Sequence, residues 1–130
     1  MILSVLIIEC SDNKEDPGSE GRFIKHMLEL MKIENDYQSV RTRACFIKVL
    51  NSVPAHISIV HIATHGVISE ASEGKPSRFR GFWTPDKDYV TIKDIEKAGI
   101  RIAGKTVVST ACLSGRKTPR KAFNTNRLKR

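Results

Sequence analysis

Residues 57–66 read ISIVHIATHG. From Ile57 to Ala63 nearly every position is apolar, in a run too short for a helix of ordinary length. It is too continuous for a strand with one face in water. A parallel strand covered on both faces has this form. The run then breaks into Thr64-His65-Gly66, where polarity and a glycine return together. Two other stretches repeat the pattern. Residues 2–8 (ILSVLII) are almost wholly apolar, and residues 105–109 (KTVVS) lead into residues 110–115 (TACLSG).

Helical patterns lie between these strands. Ser19 is a candidate cap, since its hydroxyl can accept from a free N–H of the first turn. Phe23, Met27, Leu30 and Met31 follow at helical spacing and give that helix one apolar face. Residues 37–41 are short and read as an edge strand. Thr42 is placed to cap a second helix, with Phe46, Val49, Leu50 and Val53 as its buried stripe and Pro54 as its stop. Residues 69–77 read as an exposed loop and residues 80–84 as a short extended piece. Thr91 and Asp94 have the spacing of a capping box, opening a helix that runs to about Ala98 and ends at Gly99. The expected order is β-α-β-α-β-loop-α-β. Helices between successive strands imply right-handed crossovers and a parallel sheet between helical layers. In such sheets, chemistry collects beyond the carboxyl ends of the strands. Both breaks, Thr64-His65-Gly66 after residue 63 and residues 110–115 after residue 109, fall there.

Charge and composition narrow the function classes. The 130 residues carry 22 Lys and Arg against 14 Asp and Glu, a formal charge of +8. Residues 116–130 hold seven of the basic side chains and no acid, which leaves residues 1–115 at +1. The basicity therefore belongs to a tail, and the chain divides into a domain at 1–115 and a basic tail at 116–130. A hydrophobic share of 40% suffices for one small core. The opening apolar run has no basic lead, ends at Glu9 and is too short to span a bilayer. Cys10, Cys45 and Cys112 are odd in number and widely spaced, unlike a disulfide framework or a zinc site. A soluble, cytoplasmic protein is expected.

His65 and Cys112 each follow a buried strand and each precede a nearby glycine, Gly66 and Gly115. A cysteine nucleophile needs a base or imidazolium beside it, because the thiolate is the reactive form. Adjacent strands would bring the two side chains together over one sheet edge. Gly66 lacks a Cβ, so its N–H can approach a substrate carbonyl and, with the Cys112 N–H, form an oxyanion hole.

The segments at 60–66 and 107–115 resemble the two signature segments of caspase-like cysteine peptidases, and most of all the CHAT branch of that group. Their separation of 47 residues, from His65 to Cys112, is near the roughly 50 of caspase-type enzymes. The resemblance runs from the first strand to about Phe123. It implies a three-layer α/β/α sandwich and hydrolysis of peptide bonds by a Cys–His dyad, with Cys112 as nucleophile and His65 as base and then acid. It implies no cofactor and no metal, and a peptide or protein as substrate. Similar domains continue past the Cys segment through a helix and at least one more strand. Here residues 118–123 could begin that helix, and nothing after Cys112 reads as a strand. C-terminal strands are therefore expected to be missing, with an oligomer or partner chain completing the sheet. Some basic-specific members place an Asp two residues before the Cys, where this chain has Thr110; Asp12 is the candidate substitute for binding substrate.

Plainer readings stand beside these. Cys112 can be a small core residue, as most free cysteines are, and His65 a structural histidine. His61 and His65 share a strand face under two-residue alternation and could hold a metal, but no carboxylate clusters with them and a core role suits His61 better. Cys10 and Cys45 read as structural, the latter on an apolar helix face. His26 and His56 carry no motif. Phe79, Phe82 and Trp83, interleaved with Arg78 and Arg80, suggest base stacking less than a loop packing over the site's rim or an interface. The alternative to an enzyme is an inactive or incomplete CHAT-like module working through protein contacts. A polyanion-binding tail at 116–130 is a third reading, against a solvated end.

Overall fold

The computed structural model describes residues 2–10, 19–69, 73–109 and 123–124. In chain order the elements are β1 (Ser4–Cys10), α1 (Glu20–Leu30), β2 (Glu34–Val40), α2 (Arg43–Leu50), β3 (Ile59–Ala63), β4 (Gly66–Ile68), β5 (Phe79–Thr84) and β6 (Asp88–Val90). They continue with α3 (Ile92–Lys97), α4 (Gly99–Ile102), β7 (Thr106–Ser109) and β8 (Phe123–Asn124). The protein is mixed α/β. Among the described residues one sheet has the order β2-β1-β3-β7-β8, the first four strands parallel and β8 antiparallel, and a second, antiparallel sheet has the order β4-β5-β6.

The three apolar runs are the three central strands. β1 is buried along its whole length, and Val60, Ile62 and Val107 are sealed from solvent. One face of the sheet carries Leu6, Ile8, Cys10, Val60, Ile62 and Val107 into the main core, where Phe46 and Leu50 of α2, Ile95 of α3, Ile102 of α4 and Phe82 of β5 meet them. Two of the three expected caps form as the sequence indicates. Thr42 Oγ1 accepts from the Cys45 N–H at 3.0 Å, and Thr91 and Asp94 make a reciprocal capping box at 3.1 and 2.9 Å. Arg43 reaches from the start of α2 to both carboxylate oxygens of Asp94 (3.0 and 3.1 Å), which fixes one helix to the other.

Several expectations are corrected. The short extended piece expected at residues 80–84 is β5, the middle strand of a three-stranded antiparallel sheet whose outer strands, β4 and β6, the sequence reading did not include. Its β5–β6 turn is Pro85-Asp86-Lys87, with Lys87 at φ 61 and its N–H donating to the Thr84 carbonyl. A proline followed by a left-handed residue suits a three-residue hairpin loop. Gly99 does not end the helix; the chain turns at Ala98 into α4, and the left-handed glycine is Gly104 (φ 81). Cys45 is exposed, because the buried side of α2 is set by Phe46 and Leu50. A strand does follow Cys112: within the segment read as a tail, Phe123–Asn124 pairs with Val107 and Thr106.

The apolar stripe of α1 is the largest departure. Phe23, Met27, Leu30 and Met31 are exposed, Phe23 by 62%. Gly21 is the buried residue of that helix, and Ile24 and Leu28 are half-buried on the same side. The cause is Glu9. Its buried carboxylate projects from β1 and accepts from the Gly21 N–H (2.7 Å), the Ser19 hydroxyl (2.8 Å) and the Tyr37 hydroxyl. Ser19 therefore binds Glu9 and does not cap its own helix. A Cβ on residue 21 would lie 2.7 Å from the Glu9 Cδ. The clamp sets the roll of α1 about its axis, and the stripe is turned away from the sheet. Among the described residues no helix is long and apolar enough to cross a membrane.

Candidate active site

β3 and β7 are neighbours and parallel, in the register Ile59–Thr106, Val60–Val107, His61–Val108 and Ile62–Ser109. Their carboxyl ends are therefore level. His65 stands three residues beyond Ile62, and Cys112 stands three residues beyond Ser109. Three residues span at most about 11 Å, so both segments depart from one edge of the sheet. Cys112 and the two candidate substrate-binding residues, Thr110 and Asp12, lie outside the described residues.

β3 stops at Ala63 because the chain leaves one sheet for the other. Thr64 bends, and its hydroxyl donates to the Trp83 carbonyl at 2.7 Å. The Trp83 N–H returns to the His65 carbonyl at 2.8 Å. These two bonds pin the backbone on either side of the Thr64–His65 peptide. The imidazole of His65 stays exposed and meets the indole of Trp83 edge to face, with ring centroids 5.8 Å apart. One side of the ring is thus held by an aromatic wall while the residue stays exposed to solvent.

The register also orients Gly66. With Trp83 donating to His65, Gly66 and Phe82 form a non-hydrogen-bonded antiparallel pair. The Gly66 N–H therefore points away from β5, outside the β4–β5 ladder.

The two-residue alternation ends at Ala63, before His65, and the two histidines have different surroundings. His61 is 9% exposed, and its Nε2 is buried without a hydrogen-bond partner. Burial holds its pKa below the ordinary histidine value, with Glu20 and Glu9 pulling weakly the other way. It is a neutral packing residue. Cys10 is equally inert: burial pushes its thiol up to about 12, outweighing the neighbouring Thr64 hydroxyl, which acts the other way. Among the described residues no cluster of three His, Cys, Asp or Glu side chains is arranged for a metal ion.

The aromatic residues divide by role. Phe82 is fully buried, stacked on Phe46 (6.3 Å) and edge to face with Phe79 (5.1 Å), so it belongs to the core. Trp83, the next residue, points the other way and walls His65. Sequence reading placed the aromatics at the rim together; the strand character of β5 is what separates them. Thr64 as a support of His65 had no signal in the sequence beyond proximity to it, and Trp83 had only its place among the rim aromatics. Compared with known proteins, the chain matches no protein-family model, no curated protein and no solved structure.

Proposed function

We propose that the chain is a caspase-like cysteine endopeptidase, similar to the CHAT branch, built as a three-layer α/β/α sandwich. The observation that carries this reading is the level, adjacent ending of β3 and β7, with His65 and Cys112 at equal distances past a paired position. The Cys112 thiolate adds to the scissile carbonyl, and the oxyanion takes hydrogen bonds from the N–H groups of Gly66 and Cys112. His65 removes the thiol proton and returns it to the leaving amine, so the carbon–nitrogen bond breaks and an acyl-enzyme forms. Water, deprotonated by the same imidazole, then releases the acid and the free thiol. Asp12 and Thr110 are the proposed contacts to the substrate side chain. No metal or cofactor takes part in this scheme.

Because Cys45 is an exposed thiol and Cys10 is not, the test uses a Cys45→Ser background. A panel of electrophilic peptide probes should label Cys112, and His65→Ala should slow the labelling by about 100-fold or more. Absence of labelling across the panel, in folded and reduced protein, overturns the reading in favour of a module that acts through contacts.

A further inference from the structure

The first sheet has two unlike ends among the described residues. At one end β8 is two residues long, and a short edge strand offers little ladder to another chain. At the other end β2 offers seven residues, Glu34–Val40, with neither Pro nor Lys to block it. β1 takes one side of its peptide groups, and the other side faces outward. Above this edge α1 presents Arg22, Lys25, His26 and Glu29, which with Tyr37 of β2 line an open cleft of about 480 Å³.

We propose that this edge is a homodimer interface, in which β2 pairs antiparallel with β2 of a second copy and the two α1 helices lie side by side across the twofold axis. Such an axis, normal to the sheet, keeps both helices on one face and runs them antiparallel. The charges on the flank that faces the edge are then self-complementary. About a midpoint between Lys25 and His26, Arg22 meets Glu29 of the partner subunit, and Glu29 meets Arg22 of the partner subunit. Glu29 already pairs with Lys25 one turn before it, so each carboxylate would be shared between two cations.

The strand agrees with the helix. Centred on Tyr37, the antiparallel register sets Asp36 opposite Gln38 of the partner subunit and Glu34 opposite Val40 of the partner subunit. No like charges face each other, which edge pairing requires. Gln38 and Asp36 are matched chemically, since the Gln38 amide already donates to both Asp36 oxygens at 3.2 Å within one chain. Spacing agrees as well. α1 packs on β2 and β1, so strands brought to about 4.8 Å bring the helices close to the 8–10 Å at which helices pack.

Sedimentation of the full chain, from micromolar to millimolar concentration, tests this. A reversible dimer is expected. Glu29→Arg and Arg22→Glu should each weaken it by about tenfold, and the double swap should restore it to within about threefold. Circular dichroism confirms the fold of each variant. Hydrogen exchange on the unmodified chain supplies a second readout, with outward amides of β2 slowing as concentration rises. A monomer at every concentration overturns the proposal. So does a dimer that ignores the charge swaps, or one without protection in β2; either result assigns association to another face, such as the exposed stripe of α1.

Discussion

Glu9 is a buried acid whose three partners come from three places: the loop before α1, the helix itself and the neighbouring strand. Its carboxylate sits at the amino end of α1, where backbone N–H groups and the helix dipole both favour negative charge. The same contact leaves no room for a side chain at residue 21. Gly21→Ala should destabilise the protein by about 2 kcal/mol, measured by denaturant unfolding, because the added methyl must displace a clamped carboxylate. An unchanged midpoint would mean that α1 slides without cost. Lys105 is the complementary case. It is buried, and its ammonium donates to the carbonyls of Pro54, Ala55 and Ile57, with no acid paired to it among the described residues. It closes the turn that launches β3, and so helps to set where His65 emerges. The sequence shows Glu9 merely as the end of an apolar run, and Lys105 merely as a charge before a strand. Neither shows its partners, which are 10 to 51 residues away.

At the scale of elements, local signals decided the starts of helices and not the direction of their faces. The capping box at Thr91 and the cap at Thr42 are formed within four residues, so sequence spacing suffices to find them. Thr91→Ala should cost about 1 kcal/mol. Asp94 adds a dependence on pH. Burial would raise its pKa, but the Thr91 N–H, the Thr91 hydroxyl and Arg43 outweigh burial and hold the carboxyl below its ordinary 3.8. A lowered acid favours folding at pH above its unfolded value, and that contribution fades as pH falls through the lower folded value. The stability gap between the unmodified chain and Asp94→Asn should therefore be constant from pH 7 down to about pH 4 and narrow below it. Unfolding midpoints over that range check the sign. The β4–β5–β6 sheet was hard to read for an opposite reason. β4 and β6 have three residues each, too few for alternation to register. The legible cue was the turn chemistry of Pro85-Asp86-Lys87, between a Phe82-Trp83-Thr84 run and Tyr89-Val90.

Across the whole molecule, stability is concentrated where strands are buried on both sides. β1 and β3 lie inside the parallel sheet and are nearly sealed, whereas α1 holds to it through the Glu9 clamp and a half-buried side with its apolar stripe in water. Native-state hydrogen exchange should find the β1 and β3 amides slowest, and those of α1 faster by about 100-fold or more. Equal protection would show that α1 is covered by something else. The site is divided along the same line. His65 sits where the rigid strand β3 passes into the second sheet, and its backbone is held by Thr64 and Trp83 from both.

The sequence by itself determined the three covered strands, the caps of α2 and α3, and the arrival of His65 just past a strand end. These are short-range facts: continuous burial, four-residue hydrogen bonds and chain order. Tertiary structure decided the roll of α1, the existence of the second sheet, and which strands are neighbours. Those depend on a carboxylate meeting a distant backbone N–H, on strands too short to announce themselves, and on pairings between residues far apart in the chain. The adjacency of β3 and β7, on which the proposed chemistry rests, is of that second kind.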